Sequence, residues 1–170
     1  MKKIICVLLA LSAAFSLTGC VVCETGPSTE ETVQTEASIL ECAPEMTVKC
    51  GNDSFSVGSG NYSWTSRGVN GEMGAVIACG SHPLDATREQ EFRSVPGDKL
   101  VLSFPVEPDT ITVIRWSKSD LGSTDRDGES VDVSEMTISM KKGSWIYQVV
   151  ASWDGDTWGG QAEYHLYLTK

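Results

Sequence analysis

Apolar and polar residues alternate along much of the chain. The longest such run is residues 145–153, and residues 162–168 repeat the pattern. A period of two is typical of a strand with one buried face and one face partly exposed to solvent. The sequence therefore predicts two paired strands joined by residues 154–160. The apolar face of the first strand carries Trp145, Tyr147, Val149, Ala151 and Trp153.

Shorter alternating runs fill the chain between Pro44 and Trp145, with Gly, Asn, Asp and Pro residues between them. No window keeps a helical period, and the connections are too short for crossover helices. Together with the C-terminal pair, these runs predict eight or nine strands at intervals of about 8–12 residues. We expect an all-β domain over residues 44–170, an antiparallel, Ig-like β-sandwich of about seven to nine strands.

The N-terminus has a different pattern. Met1-Lys2-Lys3 precedes an apolar run, Ile4–Leu17, which is too short to span a membrane, because a span needs about 20 apolar residues. This pattern predicts a secretory signal peptide over residues 1–19. The sequence Leu17-Thr18-Gly19-Cys20 resembles the lipobox of bacterial lipoproteins, in which the cysteine is acylated and becomes the first mature residue. The resemblance implies cleavage between Gly19 and Cys20, and a lipid anchor at Cys20 on the extracytoplasmic face of the cell membrane.

Residues 20–43 predict a flexible acidic tether between this anchor and the β domain. The stretch contains no Lys, Arg or aromatic residue, and glutamates recur among Ser and Thr. Such a segment buries too little apolar surface to offset the entropy lost on ordering.

The chain without residues 1–19 carries 11 basic and 23 acidic side chains, a formal charge of −12. This balance disfavours nucleic acid and anionic lipid surfaces as partners, because both attract cationic patches. We expect the membrane to be reached through the lipid at Cys20, and the partner to be an envelope protein or a cell-wall component.

Four cysteines remain after the signal peptide and the lipid site are set aside. Pairing is favoured outside the cytoplasm. Cys50 and Cys79 each end a predicted strand and each precede a glycine, so we predict a disulfide between them. For Cys23 and Cys42 the sequence leaves two alternatives, a bond to each other or free thiols.

Several short motifs carry a second resemblance. They are Gly60-Asn61-Tyr62-Ser63-Trp64, Ser81–Asp85, Glu107–Val113, Tyr147–Asp154 and Gly159–Tyr164. In this order they resemble small lipoproteins of Firmicutes, and similar domains form C-terminal extracytoplasmic extensions of BlaR1/MecR1-like M56-family membrane proteins. The resemblance covers roughly residues 46–168 and implies an extracytoplasmic β-rich module, but no established activity or catalytic residues. Cys50 and Cys79 are not part of it.

The chain shows no convincing catalytic set. His82 and His165 are its only histidines, and no serine lies in a nucleophile-elbow motif. We therefore predict that the protein is not an enzyme and needs no cofactor. A zinc site of Cys42, Cys50, Cys79 and His82 is disfavoured, because Cys42 and Cys50 lack the spacing of a zinc knuckle.

Two loops offer binding chemistry. The loop 120–129 could supply oxygen ligands to calcium from Asp120, Asp125, Asp127 and Glu129, although its spacing does not fit an EF-hand and a solvated loop is favoured.

The loop 154–160 places Trp158 beside Asp154 and Asp156, which suits stacking on a carbohydrate or a protein contact. The favoured alternative is that Trp158 folds back onto the end of the sandwich.

These observations predict a membrane-anchored lipoprotein whose β-sandwich is a binding or sensory module. Its partner would be an envelope protein, a cell-wall component or a small ligand. The alternative is a structural or accessory domain that packs on a membrane-protein partner, and a hydrolase is less favoured.

Overall fold

A computed structural model describes residues 41–68, 70–85 and 90–170. This part of the chain forms eleven strands and a short 3-10 helix, Lys118–Asp120. The strands are β1 (Met46–Cys50), β2 (Asp53–Val57), β3 (Tyr62–Arg67), β4 (Met73–Ala78), β5 (Arg93–Ser94), β6 (Lys99–Ser103), β7 (Thr110–Ser117), β8 (Glu129–Val131), β9 (Thr137–Ser139), β10 (Ser144–Asp154) and β11 (Trp158–Thr169).

The strands form two packed sheets, which confirms the predicted all-β sandwich. The small sheet has the order β2-β1-β6-β9, and the large sheet has the order β4-β3-β11-β10-β7-β8, with β5 paired to β11. The pairs along both orders are antiparallel, and β5 joins β11 in parallel. The predicted C-terminal pair is also confirmed, because β10 and β11 pair over eleven residues from Ser144↔Thr169 to Asp154↔Gly159.

The strand count exceeds the seven to nine that the sequence predicts. Strands β5, β8 and β9 have only two or three residues each, which is too few to show a period of two. Strand β11 also begins earlier than predicted, at Trp158, because Gly159 and Gly160 belong to the strand. A Gly-Gly pair is ordinarily a turn signal, and here it lies in the sheet.

The main core lies between the sheets, and aromatic rings fill one end of it. Trp64 meets Trp153 edge to face with 5.4 Å between ring centroids, and Trp158 stacks on Trp64 at 5.8 Å. Gly160 pairs with both Trp64 and Trp153 in the sheet. A side chain at Gly160 would overlap the backbone carbonyl of Ser63, so the glycine permits β11 and β3 to approach closely beside these rings.

A smaller core covers part of the opposite, outer face of the large sheet. Its buried residues are Leu84, Trp116 and Ile146. Trp116 and Ile146 belong to the sheet, and they are covered by two loops, one of which contributes Leu84 and the other Leu121. The indole of Trp116 donates to the carbonyl of Arg126, 2.9 Å away, which attaches the second of these loops. The rest of the outer face, over β3, β4 and β11, carries more polar and exposed side chains.

The predicted disulfide between Cys50 and Cys79 is not formed, and both residues are free thiols. Cys50 is buried at the end of β1 in the small sheet, whereas Cys79 is exposed after β4 at the edge of the large sheet. A glycine after a strand-end cysteine marks the turn but does not show which sheet the strand joins. Cys42 is disulfide-bonded, and the pairing of Cys23 with Cys42 lies outside the described residues.

The signal peptide, the lipid site at Cys20 and most of the tether also lie outside the described residues. Within the part of the chain that the structure does describe, no helix is both long and apolar enough to cross a membrane.

Candidate binding site on the outer face of the large sheet

An open hollow of about 260 Å³ lies on the outer face of the large sheet, where β3, β4 and β11 run side by side. We call it the outer-face hollow. Polar and apolar side chains share its lining, which is the usual composition of a ligand site. The lining residues are Asn61, Tyr62, Ser63, Ile77, Ala78, Cys79, Gln161 and Glu163.

The strand register places the polar groups of the hollow. Ser63 of β3 lies between Gln161 of β11 and Ile77 of β4, so these three residues form one row across the sheet. Residues two apart on a strand share a face. Glu163 therefore lies on the same face as Gln161, at the inner end of the hollow.

Glu163 is the most highly connected polar group of the hollow. Its Oε2 atom accepts hydrogen bonds from Asn61 Nδ2 at 2.9 Å and from Gln148 Nε2 at 2.8 Å. The side chain is 25% exposed. Because both amides use Oε2, Oε1 has no hydrogen-bond partner in the described part of the chain. The carboxylate is fixed in place and keeps one oxygen for a ligand.

The backbone around Asn61 makes this arrangement rigid. The Gly60 amide donates to the Glu163 carbonyl at 2.7 Å, and the Glu163 amide donates to the Asn61 carbonyl at 2.8 Å. The Asn61 side-chain oxygen also accepts from the Gly80 amide. Asn61 thus joins the segment after β4 to the central strand β11.

His165 lies next to Glu163 on the same face of β11. Its Nε2 atom is 3.8 Å from Glu163 Oε2, which is too far for a hydrogen bond. That nitrogen is buried and has no partner among the described residues. Burial lowers the pKa of His165, and the nearby carboxylate of Glu163 offsets part of this effect. Burial therefore favours the neutral imidazole, whose Nε2 atom has hydrogen-bonding capacity that the described fold does not use.

The apolar wall of the hollow belongs to β4. Ile77 is 72% exposed, an unusual degree for a large aliphatic side chain that lies beside a glutamate and two amides. Cys79 provides an exposed thiol at the same rim. The hollow thus combines a fixed carboxylate, amides and an apolar contact.

The loop residues chosen from the sequence lie elsewhere. Trp158 is half-buried at the start of β11 and stacks on Trp64, so it folds back onto the end of the sandwich. Asp154 and Asp156 are exposed, and the Asp154 amide donates to Asp109 Oδ2 at 2.7 Å. The binding role predicted for this loop depended on an exposed ring, which the fold does not provide.

The acidic residues of the 120–129 loop do not come together around a common point. Asp120 accepts from the Ser117 amide at 3.1 Å, and Glu129 pairs with Arg115 at 2.7 Å and with Lys141 at 3.3 Å. Asp125 and Asp127 line an open hollow of about 540 Å³ together with Arg126. No cluster of three or more metal-ligating side chains occurs among the described residues.

Neither histidine is placed beside a nucleophile in the described part of the chain. His82 Nδ1 accepts from the Leu84 amide at 3.1 Å, and its ring meets Trp116 edge to face at 5.8 Å. In the described part of the chain, neither His82 nor His165 forms a hydrogen bond to a hydroxyl or a thiol. The pair of groups that nucleophilic catalysis needs is not assembled there.

Sequence reasoning did not find the outer-face hollow, although the alternation of residues 162–168 puts Glu163, His165 and Tyr167 on the more solvent-exposed face of β11. Asn61 and Glu163 are 102 residues apart and meet only through the pairing of β3 with β11. The one feature of the sequence that could have indicated the site is the polar composition of this solvent-exposed face of the last strand.

The comparisons with known proteins gave no match: no family model, no curated protein and no solved structure matches this chain.

Proposed function

We propose that this chain is a membrane-anchored, extracytoplasmic lipoprotein whose β-sandwich is a binding or sensory module. The N-terminal pattern ending at Cys20 supports the anchor, and the motifs over residues 46–168 support kinship with the lipoprotein domains of Firmicutes. The ligand is an envelope protein, a cell-wall component or a small molecule. The proposal assigns no catalytic residue.

One observation carries the binding role. In the outer-face hollow, Glu163 is held by Asn61 and Gln148 through one oxygen, while its second oxygen faces no donor among the described residues. Exposed Ile77 lies across from it. A ligand that has N–H or O–H donors next to an apolar group could donate to the carboxylate of Glu163 and pack against Ile77. Amide-bearing and hydroxylated envelope components have this chemistry.

The anchor is tested by metabolic labelling of cells with a fatty-acid analogue. The wild-type chain should take up the label, and a Cys20→Ala variant should not. Label that persists in the Cys20→Ala variant would refute the anchor.

The binding role is tested by capture from membrane-preserving envelope preparations. A Glu163→Gln variant keeps the size of the side chain and removes its charge. It should lose a species that the wild type retains, by tenfold or more. Glu107→Gln is the matched control, because Glu107 is exposed in the loop between β6 and β7. Equal capture by the Glu163→Gln variant, with unchanged thermal stability, would refute the assignment of the hollow.

A second function has a specific observation in its favour. Met73, Val76 and Ile77 of β4 are all exposed large apolar residues. Exposed apolar surface of this kind suits an accessory domain that packs on a membrane-protein partner. In that case capture would depend on β4 and would be insensitive to Glu163→Gln.

A further inference from the structure

Strand β4 is an edge strand with an unusual composition. One edge of β4 pairs with β3 over six residues, and no described strand pairs with its other edge. The strand reads Met-Gly-Ala-Val-Ile-Ala, so it has no charge and no proline, and five of its six residues are exposed. An exposed apolar edge presents unpaired backbone donors and acceptors that can recruit another strand.

The other edges in the described part of the fold are shorter or carry charge. Strand β8 has three residues and begins with Glu129, which is ion-paired to Arg115 and Lys141. Strand β9 also has three residues, and β2 begins with an exposed aspartate. Short and charged edges are the usual protection against unwanted strand pairing. Strand β4 lacks both forms of protection.

We propose that β4 pairs with β4 of a second copy of this chain. This surface shares Ile77 and Ala78 with the outer-face hollow, but the inference rests on the free edge of β4 and does not depend on the proposed ligand. The two copies would be related by a two-fold axis, which is the commonest symmetry of protein oligomers. The two large sheets would then form one continuous antiparallel sheet.

The order of residues in β4 matches this symmetry. A register centred on Ala75 places Met73 opposite the partner's Ile77 on the outer face, and this contact occurs twice. These two side chains are 54% and 72% exposed in the single chain. Gly74 and the partner's Val76 meet on the inner face. The largest exposed apolar groups of the strand therefore cover each other.

The charges near β4 permit this register. Glu72 is exposed and directly precedes the strand, and the register places it opposite the partner's Ala78. The two Glu72 side chains are then six residues apart along the strands, or about 20 Å. This distance exceeds the screening length of about 8 Å at physiological salt. The formal charge of −10 on each whole chain still repels a second copy, and salt weakens that repulsion.

The dimer should be weak. The five residues of each β4 that pair in this register bury less than the roughly 1,200–2,000 Å² of a stable protein interface. A covalent trap in intact cells that express the full chain is therefore the appropriate test. In a Cys79→Ser background, an Ala75→Cys substitution places two thiols directly opposite each other across the two-fold axis. The matched control is Val101→Cys, since Val101 is a 41% exposed strand residue of the small sheet.

Mild oxidation should link the Ala75→Cys chain to itself, with at least fivefold more covalent dimer than the Val101→Cys control. The yield should rise with ionic strength, because the two copies carry the same charge. Adding Ile77→Lys should reduce it severalfold. Equal yields of covalent dimer from the Ala75→Cys and Val101→Cys variants would overturn the proposal. So would an adduct whose mass shows a different protein, or a yield that falls as salt rises.

Discussion

The two free thiols differ in their access to solvent. Cys50 is fully buried at the end of β1, whereas Cys79 is exposed beside the outer-face hollow. Alkylation of the native chain should modify Cys79 readily and should modify Cys50 only after unfolding. Peptide mapping by mass spectrometry measures both sites in one sample. A disulfide-linked pair of Cys50 and Cys79 peptides would contradict the structure.

Gly160 is the residue at which a small substitution should have the largest effect. It has a φ of +148° and lies between Trp64 and Trp153 in the sheet, and an added Cβ would overlap the carbonyl oxygen of Ser63. Backbone cannot move aside as a flexible side chain can. We expect Gly160→Ala to lower the free energy of unfolding by about 2–4 kcal/mol.

Chemical denaturation measures this loss, and Gly58→Ala is the control. Gly58 has open space where a Cβ would lie and no unusual φ, so alanine there should change stability by less than about 0.5 kcal/mol. Equal effects of the two substitutions would show that the close approach at Gly160 is not real.

At the scale of elements, an ion-pair cluster closes the β7–β8 side of the large sheet. Arg115 of β7 forms two hydrogen bonds to the carboxylate of Glu129 in β8, and Lys141 forms a third. These bonds, chiefly those from Arg115, lower the pKa of Glu129 from 4.5 to about 2. The guanidinium of Arg115 also lies 5.3 Å from the centre of the Trp145 ring.

This lowered pKa gives a pH dependence with a defined sign. An acid whose pKa falls on folding contributes stability that is fully present above its unfolded pKa and is lost as the pH falls through its folded pKa. The stability advantage of the wild type over Glu129→Gln should therefore be complete above pH 4.5 and should shrink as the pH approaches 2. Because Glu129 is exposed, the effect should be small.

Denaturation curves at several pH values measure the difference between these two proteins. Glu107→Gln is the control, because Glu107 takes part in no ion pair within the described residues. A wild-type advantage that stayed constant from pH 5 to pH 2 would contradict the ion-pair account.

The sequence predicted the elements well where the alternation was long. Strands β10 and β11 follow from a period of two, because each has one face against the core. It could not predict β5, since a two-residue strand has no period, and it took Gly159-Gly160 for a turn. The backbone of the neighbouring strands lies so close to these two glycines that an added Cβ would overlap the carbonyl of Trp153 at Gly159 and that of Ser63 at Gly160. For Gly160 this close approach depends on Ser63, which is distant in sequence.

At the scale of the whole molecule, the sandwich followed from the number and spacing of the strands, but the candidate site did not. The outer-face hollow exists because β3 pairs with one side of β11 and β10 pairs with the other, which brings Asn61, Gln148 and Glu163 together. Strand order is a long-range property that local patterns do not encode. The failed Cys50–Cys79 prediction has the same cause, because strand ends alone do not show which sheet a strand joins.

The central claim is that the outer-face hollow binds a component of the cell envelope. The most direct measurement attaches a photo-cross-linker to the exposed thiol of Cys79 and irradiates intact cells. We predict an adduct to a molecule other than a second copy of the chain, and Glu163→Gln should reduce it. A cross-linker on Val101→Cys in a Cys79→Ser background should not form this adduct. The same adduct from both positions, or no adduct from Cys79 other than a second copy of the chain, would contradict the account.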